Sequence, residues 1–171
     1  ECVPPVPDIT KDEALARLAR NYFRSHPPAT LQDFVWWSGL SVTEAKQGIY
    51  LIGSELTEEQ WKGQTWYLHE SGRTRGSIKG HIRFLPPYDE LLLGYKDRTD
   101  VLPSEHYSKA FTGNGLFFPV ILYEGQIVGN WDRKAKRNGC DPGYSLFRQE
   151  SRIDEALLDK AQQQYMQFLG K

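Results

Sequence analysis

Apolar residues recur three or four positions apart near the start of the chain, which is the spacing of an amphipathic helix. A Ser/Thr-x-x-acid capping box, Thr10 with Glu13, marks where this helix begins. Pro27 and Pro28 mark its end, because proline cannot continue a helix. The face that we expect to be buried consists of Leu15, Leu18, Ala19, Tyr22 and Phe23.

Two more capping boxes follow in close succession, with Gly39 between them, where a helix must end and the chain turn. We therefore expect two short helices, over residues 31–38 and 42–51. Two helices joined by so few residues are typical of a helix-turn-helix. The boxes are Thr30 with Asp33 and Ser41 with Glu44; the predicted buried residues are Leu31, Phe34 and Val35, then Val42, Ala45, Ile49 and Ile52.

After Gly53 the helical spacing gives way to strand-like segments. Residues 56–61 and 65–68 flank Lys62-Gly63-Gln64, which suits a hairpin turn. Three helices followed by a β-hairpin is the order of a winged helix, which we place at residues 8–70. The glycine-rich stretch 70–80 then predicts a domain boundary.

The second half predicts a β-rich domain, residues 80–171, that is closed by a C-terminal helix. Residues 89–95 fit either a short helix or a strand, because their three consecutive leucines suit both. Residues 97–115 should be mostly irregular. The fold class is therefore α+β. Strands are expected over 81–85, 116–123, 126–131 and 144–148, and the last helix over 153–168.

Composition and charge limit the partners of the protein. The 171 residues are 39% hydrophobic and 25% charged, as in an ordinary globular protein. The formal net charge of −1 means that any binding to nucleic acid depends on a local basic patch. No apolar run approaches the roughly 18 residues that a membrane span needs. We also expect no signal peptide.

The two cysteines, Cys2 and Cys140, lie far apart and match no zinc-ligand spacing. We expect two unpaired thiols in a reducing cytosol rather than one disulfide. The sequence thus favours a cytoplasmic protein without a metal or a cofactor. A chain that begins at Glu1 rather than at methionine fits a piece of a longer protein.

Polar side chains on the second helix of the predicted helix-turn-helix face away from its apolar stripe. Near the start of a recognition helix, such side chains reach the edges of bases. Gln47 suits adenine, and Lys46 suits guanine or a phosphate. The alternative is a merely solvated face, since Glu44 repels phosphate unless it is engaged in capping. The predicted contacts here are Thr43, Lys46 and Gln47, beside Tyr50.

Further candidate contacts with DNA are basic residues outside that helix. Lys62 lies at the predicted hairpin turn. A second set of basic residues, between positions 73 and 83, lies at odd-numbered positions. In an extended chain these side chains would point to one side, where they could follow one phosphate backbone; the alternative is a flexible linker. A third set follows a predicted hairpin, and its alternative is a solvated loop. The second set is Arg73, Arg75, Lys79, His81 and Arg83, and the third is Arg133, Lys134, Lys136 and Arg137.

Acidic residues near the middle of the chain raise the question of hydrolytic chemistry, because paired carboxylates bind metals or transfer protons. No histidine or third carboxylate lies at a diagnostic spacing, so we expect structural roles, with an Asp97-Arg98 ion pair and a buried Tyr95. The acidic residues are Asp89, Glu90, Asp97 and Asp100.

The adjacent Trp36 and Trp37 cannot share one helix face. One of them should join the core, and the other should face a neighbour such as a preceding domain.

Three segments resemble one protein family in the same order. PATLQDFVWWSGLSVTEAKQGI resembles the helix-turn-helix of the bacterial winged-helix proteins that include the AlkZ/YcaQ DNA glycosylases. RFLPPYDELLLGYKDR is similar to the family's Pro-x-x-Asp-Glu-x-Leu-Leu-x-Tyr-x-Asp-Arg signature, and GLFFPVILYEGQIVGNWDR to its hairpin. The resemblance covers residues 17–133 and extends loosely through the last helix.

This resemblance implies tandem winged helices, a β-rich C-terminal part and binding to duplex DNA. The glycosylases of the family excise alkylated bases and unhook interstrand crosslinks through a Gln-hydrophobic-Gln pair in their first winged helix. The nearest match in this chain, Gln164-Tyr165-Met166-Gln167, has the wrong spacing. The resemblance therefore implies a C-terminal, DNA-binding portion whose partners are duplex DNA and an N-terminal domain of the same protein, and that is not catalytic alone.

A different class of function stays open beside this one. Winged helices also serve as non-catalytic docking modules for other proteins. The near-neutral net charge and the Trp36-Trp37 pair favour that interpretation.

Overall fold

The protein divides into two compact units. The first comprises Glu1–Arg75 with Gly94–Lys96, and the second comprises Gly76–Leu93 with Asp97–Lys171. The computed structural model describes residues 8–72, 76–136, 139–148 and 153–168, except the side chains of 134–136 and 139–141.

Three helices of the first unit begin at the predicted caps. They are α1 (Lys11–Ser25), α2 (Leu31–Ser38) and α3 (Val42–Leu51). In each box the acid's backbone N–H donates to the N-cap hydroxyl, and the N-cap N–H donates to the acid's carboxylate. All three predicted capping boxes are therefore confirmed.

A small antiparallel sheet completes the first unit. Its strands are β1 (Ala29–Thr30), β2 (Leu56–Trp61) and β3 (Gln64–His69), in the order β1-β3-β2. Lys62 and Gly63 connect β2 to β3 with φ angles of 50° and 73°, and positive φ at both residues is what a two-residue type I′ turn requires. The predicted hairpin is thus confirmed, with β3 one residue longer at each end.

The core of the first unit is aromatic. Tyr22, Phe23 and Phe34 are fully buried, and the ring centroids of Phe23 and Phe34 lie 5.4 Å apart. Trp37 packs against this cluster, 5.0 Å from Tyr22, whereas Trp36 is 54% exposed. The prediction that the two adjacent tryptophans separate is confirmed.

The buried face of α3 differs from the predicted stripe at one position. Ala45, Gly48 and Ile49 face α1, and a Cβ built on Gly48 would lie only 3.1 Å from the carbonyl oxygen of Leu15. Close approach of the two helices is therefore centred on Gly48. Val42 lies at the other end of the helix, beyond this contact, and is 43% exposed, so its predicted burial is wrong.

A short segment from the middle of the chain joins the first unit. The hydroxyl of Tyr22 donates to the carbonyl oxygen of Gly94 at 2.8 Å, and the backbone N–H of Lys96 donates to Asp33 at 2.9 Å. Tyr95 packs against the aromatic core, as predicted. Burial, and then the nearby charge of Asp33, raises the pKa of Tyr95 to about 12.

The second unit is built on an antiparallel sheet of four strands that are neighbours in sequence order. The sheet is covered by α6 (Glu155–Phe168), whose Tyr165 ring lies 4.8 Å from that of Trp131. Leu158 and Ala161 of this helix are buried against it. The strands are β4 (Ile82–Leu85), β5 (Val120–Tyr123), β6 (Gln126–Lys136) and β7 (Gly139–Leu146).

Several elements of the second unit depart from the predicted bounds. β6 continues to Lys136, and β7 begins at Gly139, because these two ends pair with each other. Residues 89–95 contain a helix, α4 (Glu90–Leu93), rather than a strand. The segment predicted to be irregular contains a second short helix, α5 (Tyr107–Ala110).

Among the residues that the structure describes, no helix combines the length and the apolar character that a membrane span requires.

Candidate nucleic-acid interface

One face of α3 exposes a continuous set of side chains. Positions 42, 46 and 50, like positions 43, 47 and 50, are separated by three or four residues, so these side chains are neighbours on the helix surface. The set combines amide, hydroxyl and ammonium groups with apolar ones, and Tyr50 is 79% exposed. We refer to it as the α3 face: Val42, Thr43, Lys46, Gln47 and Tyr50, all exposed.

Glu44, the acid in the first turn of α3, forms hydrogen bonds and an ion pair within the protein. The carboxylate of Glu44 accepts hydrogen bonds from the hydroxyl of Ser41 at 2.7 Å and from its backbone N–H at 3.2 Å. Its other oxygen lies 2.8 Å from the ammonium of Lys11. Lys11 first, and then Ser41, lower the pKa of Glu44 to about 2. The negative charge next to the α3 face is therefore paired with a lysine.

The turn between β2 and β3 exposes a lysine on an aromatic ring. The ammonium of Lys62 lies 4.1 Å above the ring centroid of Trp61, which is 49% exposed. The Trp66 ring packs edge-on at 5.5 Å, and its Nε1–H donates to the carbonyl oxygen of Trp61 at 3.2 Å. We call Trp61, Lys62, Gly63 and Gln64 the hairpin tip.

Sequence reasoning identified Lys62 but missed the two tryptophans. The turn fixes the register, in which Trp61 pairs with Gln64 and Glu59 pairs with Trp66. Alternation along each strand then places Trp61 and Trp66 on the same face of the hairpin. The signal that would have found the pair was the combination of turn type and strand alternation.

The basic segment at the predicted domain boundary is not one extended row. Arg73 and Arg75 lie outside the described residues. Lys79 is exposed within a turn, in which the N–H of His81 donates to the carbonyl oxygen of Ile78 at 3.1 Å. Gly80, with a φ of 72°, completes this turn and breaks the predicted alternation. Arg83 follows in β4, where it is exposed and donates to the carbonyl oxygen of Ile82.

The later basic run belongs to a strand rather than to a loop after a hairpin. Arg133, Lys134 and Lys136 lie in β6 and pair with Pro142, Asp141 and Gly139 of β7. Arg133 is exposed. The side chains of Lys134 and Lys136, and the whole of Arg137, lie outside the description.

The acidic residues of the middle segment serve local turns. Asp89 accepts a hydrogen bond from the N–H of Leu91 at 2.9 Å, and Asp97 accepts one from the N–H of Thr99 at the same distance. Arg98 is buried, and its Nε donates to the carbonyl oxygen of Leu92. Within the described part of the chain, no three His, Cys, Asp or Glu side chains are grouped to hold a metal ion.

Comparison with known proteins identifies the family. The model of the "DNA glycosylase AlkZ-like" family matches residues 1–168. An interstrand DNA cross-link repair glycosylase of Streptomyces sahachiroi is 29% identical in an alignment of 128 residues that covers 71% of this chain and 34% of that protein. The solved structure of the Streptomyces sahachiroi DNA glycosylase AlkZ superposes with a TM-score of 0.73 at 25% identity, over 93% of this chain and 43% of that one. The chain thus spans less than half of the length of these relatives, and it belongs to the AlkZ-like DNA glycosylase family.

Proposed function

We propose that this chain is the DNA-binding portion of a winged-helix protein that acts in the repair of alkylated or crosslinked DNA in the cytoplasm. Its relatives are named as DNA glycosylases, one of them for interstrand crosslinks. The proposed winged helix is residues 8–70, followed by the β-rich domain of residues 80–171. The glutamine pair that the family resemblance implies for base excision has no counterpart here, so the role of this chain is binding rather than catalysis.

The observation that supports DNA binding most strongly is the α3 face. Three helices and a β1-β3-β2 sheet form the first unit, and its third helix exposes Thr43, Lys46 and Gln47 while burying the opposite side. A recognition helix presents its N-terminal residues in this way. Val42 and Tyr50 extend this face with apolar surface, which suits contact with thymine methyl groups and sugars better than simple solvation.

The predicted mode of binding is weak, largely independent of sequence and steeply dependent on salt. The groups outside α3 that support it are cations such as Lys62, Arg83 and Arg133, which contact phosphates rather than base edges. Repulsion from the first turn of α3 is small, because Glu44 is paired with Lys11.

Titration of a labelled duplex of about 20 base pairs tests the proposal at about 20 mM salt, where phosphate contacts are strongest. We expect saturable binding that weakens as salt is added. Lys46→Gln should reduce the slope of log affinity against log salt by about 1. Lys160→Gln, which changes an exposed lysine of α6, is the matched control and should leave the slope unchanged. Absence of binding at this salt concentration would refute the proposal.

A second candidate function is that of a non-catalytic protein-interaction module, whose docking partner is a neighbouring protein domain. Trp36, 54% exposed on α2, supports it, because large exposed rings are enriched at protein interfaces. This function predicts that Trp36→Ala leaves DNA binding unchanged and abolishes association with the separately expressed N-terminal domain of the same protein. Sedimentation of the two parts together measures the association.

A further inference from the structure

The hairpin tip exposes the ring of Trp61, which is not part of the hydrophobic core of the first unit. Tyr67 pairs with Glu58 and packs its ring 5.5 Å from the core residue Phe23, which fixes the inner face of the hairpin. Alternation places Trp61 and Trp66 on the outer face. Trp61 is at the end of β2, next to the turn, and half of its surface is open to solvent.

The ring is nevertheless held in one orientation. Trp66 packs against it edge-on at an angle of 62° and also donates to its backbone carbonyl oxygen. The turn beside it has two residues with positive φ, which define the backbone there. A large ring that is already oriented loses little conformational entropy when it binds a partner.

A lysine of the hairpin tip lies over the ring in this structure. The ammonium of Lys62 lies 4.1 Å above the ring centroid. A cation–π contact at an exposed site is weak, whereas a lysine near a phosphate gains from releasing counterions. Lys62 is therefore suited to move from the ring to a phosphate, and a flat base takes its place on the ring.

The charges of the hairpin favour an approach at its end. Glu58 and Glu59 are exposed along β2. They repel a phosphate backbone that lies along the side of the hairpin. Lys62, at the very tip, attracts one. A nucleobase with its own phosphate matches this combination, because it offers a π face and a negative charge a few ångströms apart.

We propose that Trp61 stacks on an unpaired base while Lys62 contacts the adjacent phosphate, so that this protein binds DNA with disrupted pairing more tightly than intact duplex. Aromatic side chains stack on bases of any identity, and apolar side chains of minor-groove proteins insert between base steps. A site in DNA where pairing is already disrupted is the better ligand, because its base needs no unstacking. This inference rests on the proposed DNA-binding function.

The test compares two labelled DNAs with the complete 171-residue chain. One is a matched duplex of about 20 base pairs, and the other has the same sequence with a central bulge of unpaired bases. We expect tighter binding to the bulged DNA. Trp61→Ala should weaken binding to the bulged DNA about tenfold and to the matched duplex about twofold or less. Trp61→Phe, which keeps a stacking ring, should retain most of the preference.

Two further variants separate stacking from charge and from general loss of structure. Lys62→Gln should weaken binding to both DNAs and reduce both salt slopes by about 1. Trp36→Ala removes a similarly exposed tryptophan outside the hairpin and should change neither affinity. Circular dichroism establishes whether Trp61→Ala is folded; if it is not, Trp61→Leu, which keeps apolar volume but has no stacking ring, replaces it and should lose the preference for the bulged DNA.

The possible failures are distinguishable. Equal affinity for the two DNAs, or an equal loss for both in Trp61→Ala, would overturn the stacking inference and leave the proposed DNA binding in place. If the unmodified chain binds neither DNA at about 20 mM salt, both the inference and the proposed function are wrong.

Discussion

The helices of the first unit and the sheet of the second are specified over different distances along the chain. Each of α1, α2 and α3 begins at a capping box whose two residues are three positions apart. β6 and β7 extend beyond their predicted bounds because residues on separate strands pair, from Gly129 with Leu146 to Lys136 with Gly139. A contact within one helical turn is visible in the sequence, whereas strand pairing depends on a register that the local pattern leaves open.

The largest expected loss of stability comes from removing a core side chain of the first unit. It would show that helices whose starts are specified locally still depend on a shared core. Phe34 of α2 is fully buried among Tyr22 and Phe23. Phe34→Ala should lower the free energy of unfolding by about 3–5 kcal/mol, because it removes apolar contacts and leaves a cavity. Denaturant titration followed by far-UV circular dichroism measures the loss. Trp36→Ala, on the exposed side of the same helix, is the control and should cost less than about 1 kcal/mol.

The second-largest expected loss of stability tests the strand pairing of the second unit. Gly129 is buried in β6 at its pairing with Leu146 of β7, and a Cβ added there would press against the carbonyl oxygen of Ser145 and lie 3.0 Å from the Cα of Leu146. Gly129→Ala should therefore cost about 1–3 kcal/mol, because two paired strands must move apart. Gly113→Ala is the matched control, since a Cβ there meets nothing within 4 Å. Equal melting temperatures for the two variants would contradict the expectation.

Alkaline pH tests the long-range contact that brings Tyr95 to the first unit. Its pKa in the folded protein, about 12, exceeds the ordinary value of 10.0. The stabilisation is therefore complete below pH 10 and is lost as the pH rises from 10 through 12. Because the ring is partly exposed, we expect a loss of about 1–2 kcal/mol rather than the full amount for two pH units.

Unfolding in guanidinium at about pH 9 and about pH 11 measures the first half of this loss, about 0.5–1 kcal/mol, because pH 11 lies midway between the two pKa values. Tyr95→Phe should reduce it, and Tyr50→Phe, which changes an exposed phenol, should not. An identical loss in Tyr95→Phe and the unmodified protein would assign the alkaline effect to other groups.

The smallest expected losses of stability come from removing the N-cap hydroxyl of two capping boxes, one buried and one exposed. Thr30 and Asp33 are buried, and the Thr30 hydroxyl donates to Asp33 at 2.6 Å. Ser41 is exposed and its box borders solvent. Thr30→Ala should cost about 1–2 kcal/mol, and Ser41→Ala about 0.5–1 kcal/mol, because water replaces the lost hydrogen bonds only at the exposed box. Thermal unfolding ranks the two; the reverse order would show that burial does not govern the cost of these caps.

The candidate site was predictable where it depends on one helix. The exposure of Thr43, Lys46 and Gln47 follows from the 3.6-residue period, which the sequence contains in full. Val42 escaped the same reasoning because the contact of α3 with α1 is centred on Gly48, and periodicity alone does not give the extent of a contact along the helix. The predicted single row of cations fails between Lys79 and Arg83, since a turn at Gly80, which the sequence pattern did not reveal, redirects the chain.

The sequence by itself determined where the three helices of the first unit begin, where its hairpin turns and to which family the chain is similar. These features depend on residues within a few positions of one another or on contiguous motifs. Only the tertiary structure decided that Gly94–Lys96 packs with the first unit and that β6 and β7 pair to Lys136. Each of these results from contacts whose geometry depends on the packing of several elements at once, and no local pattern of residue types encodes that packing.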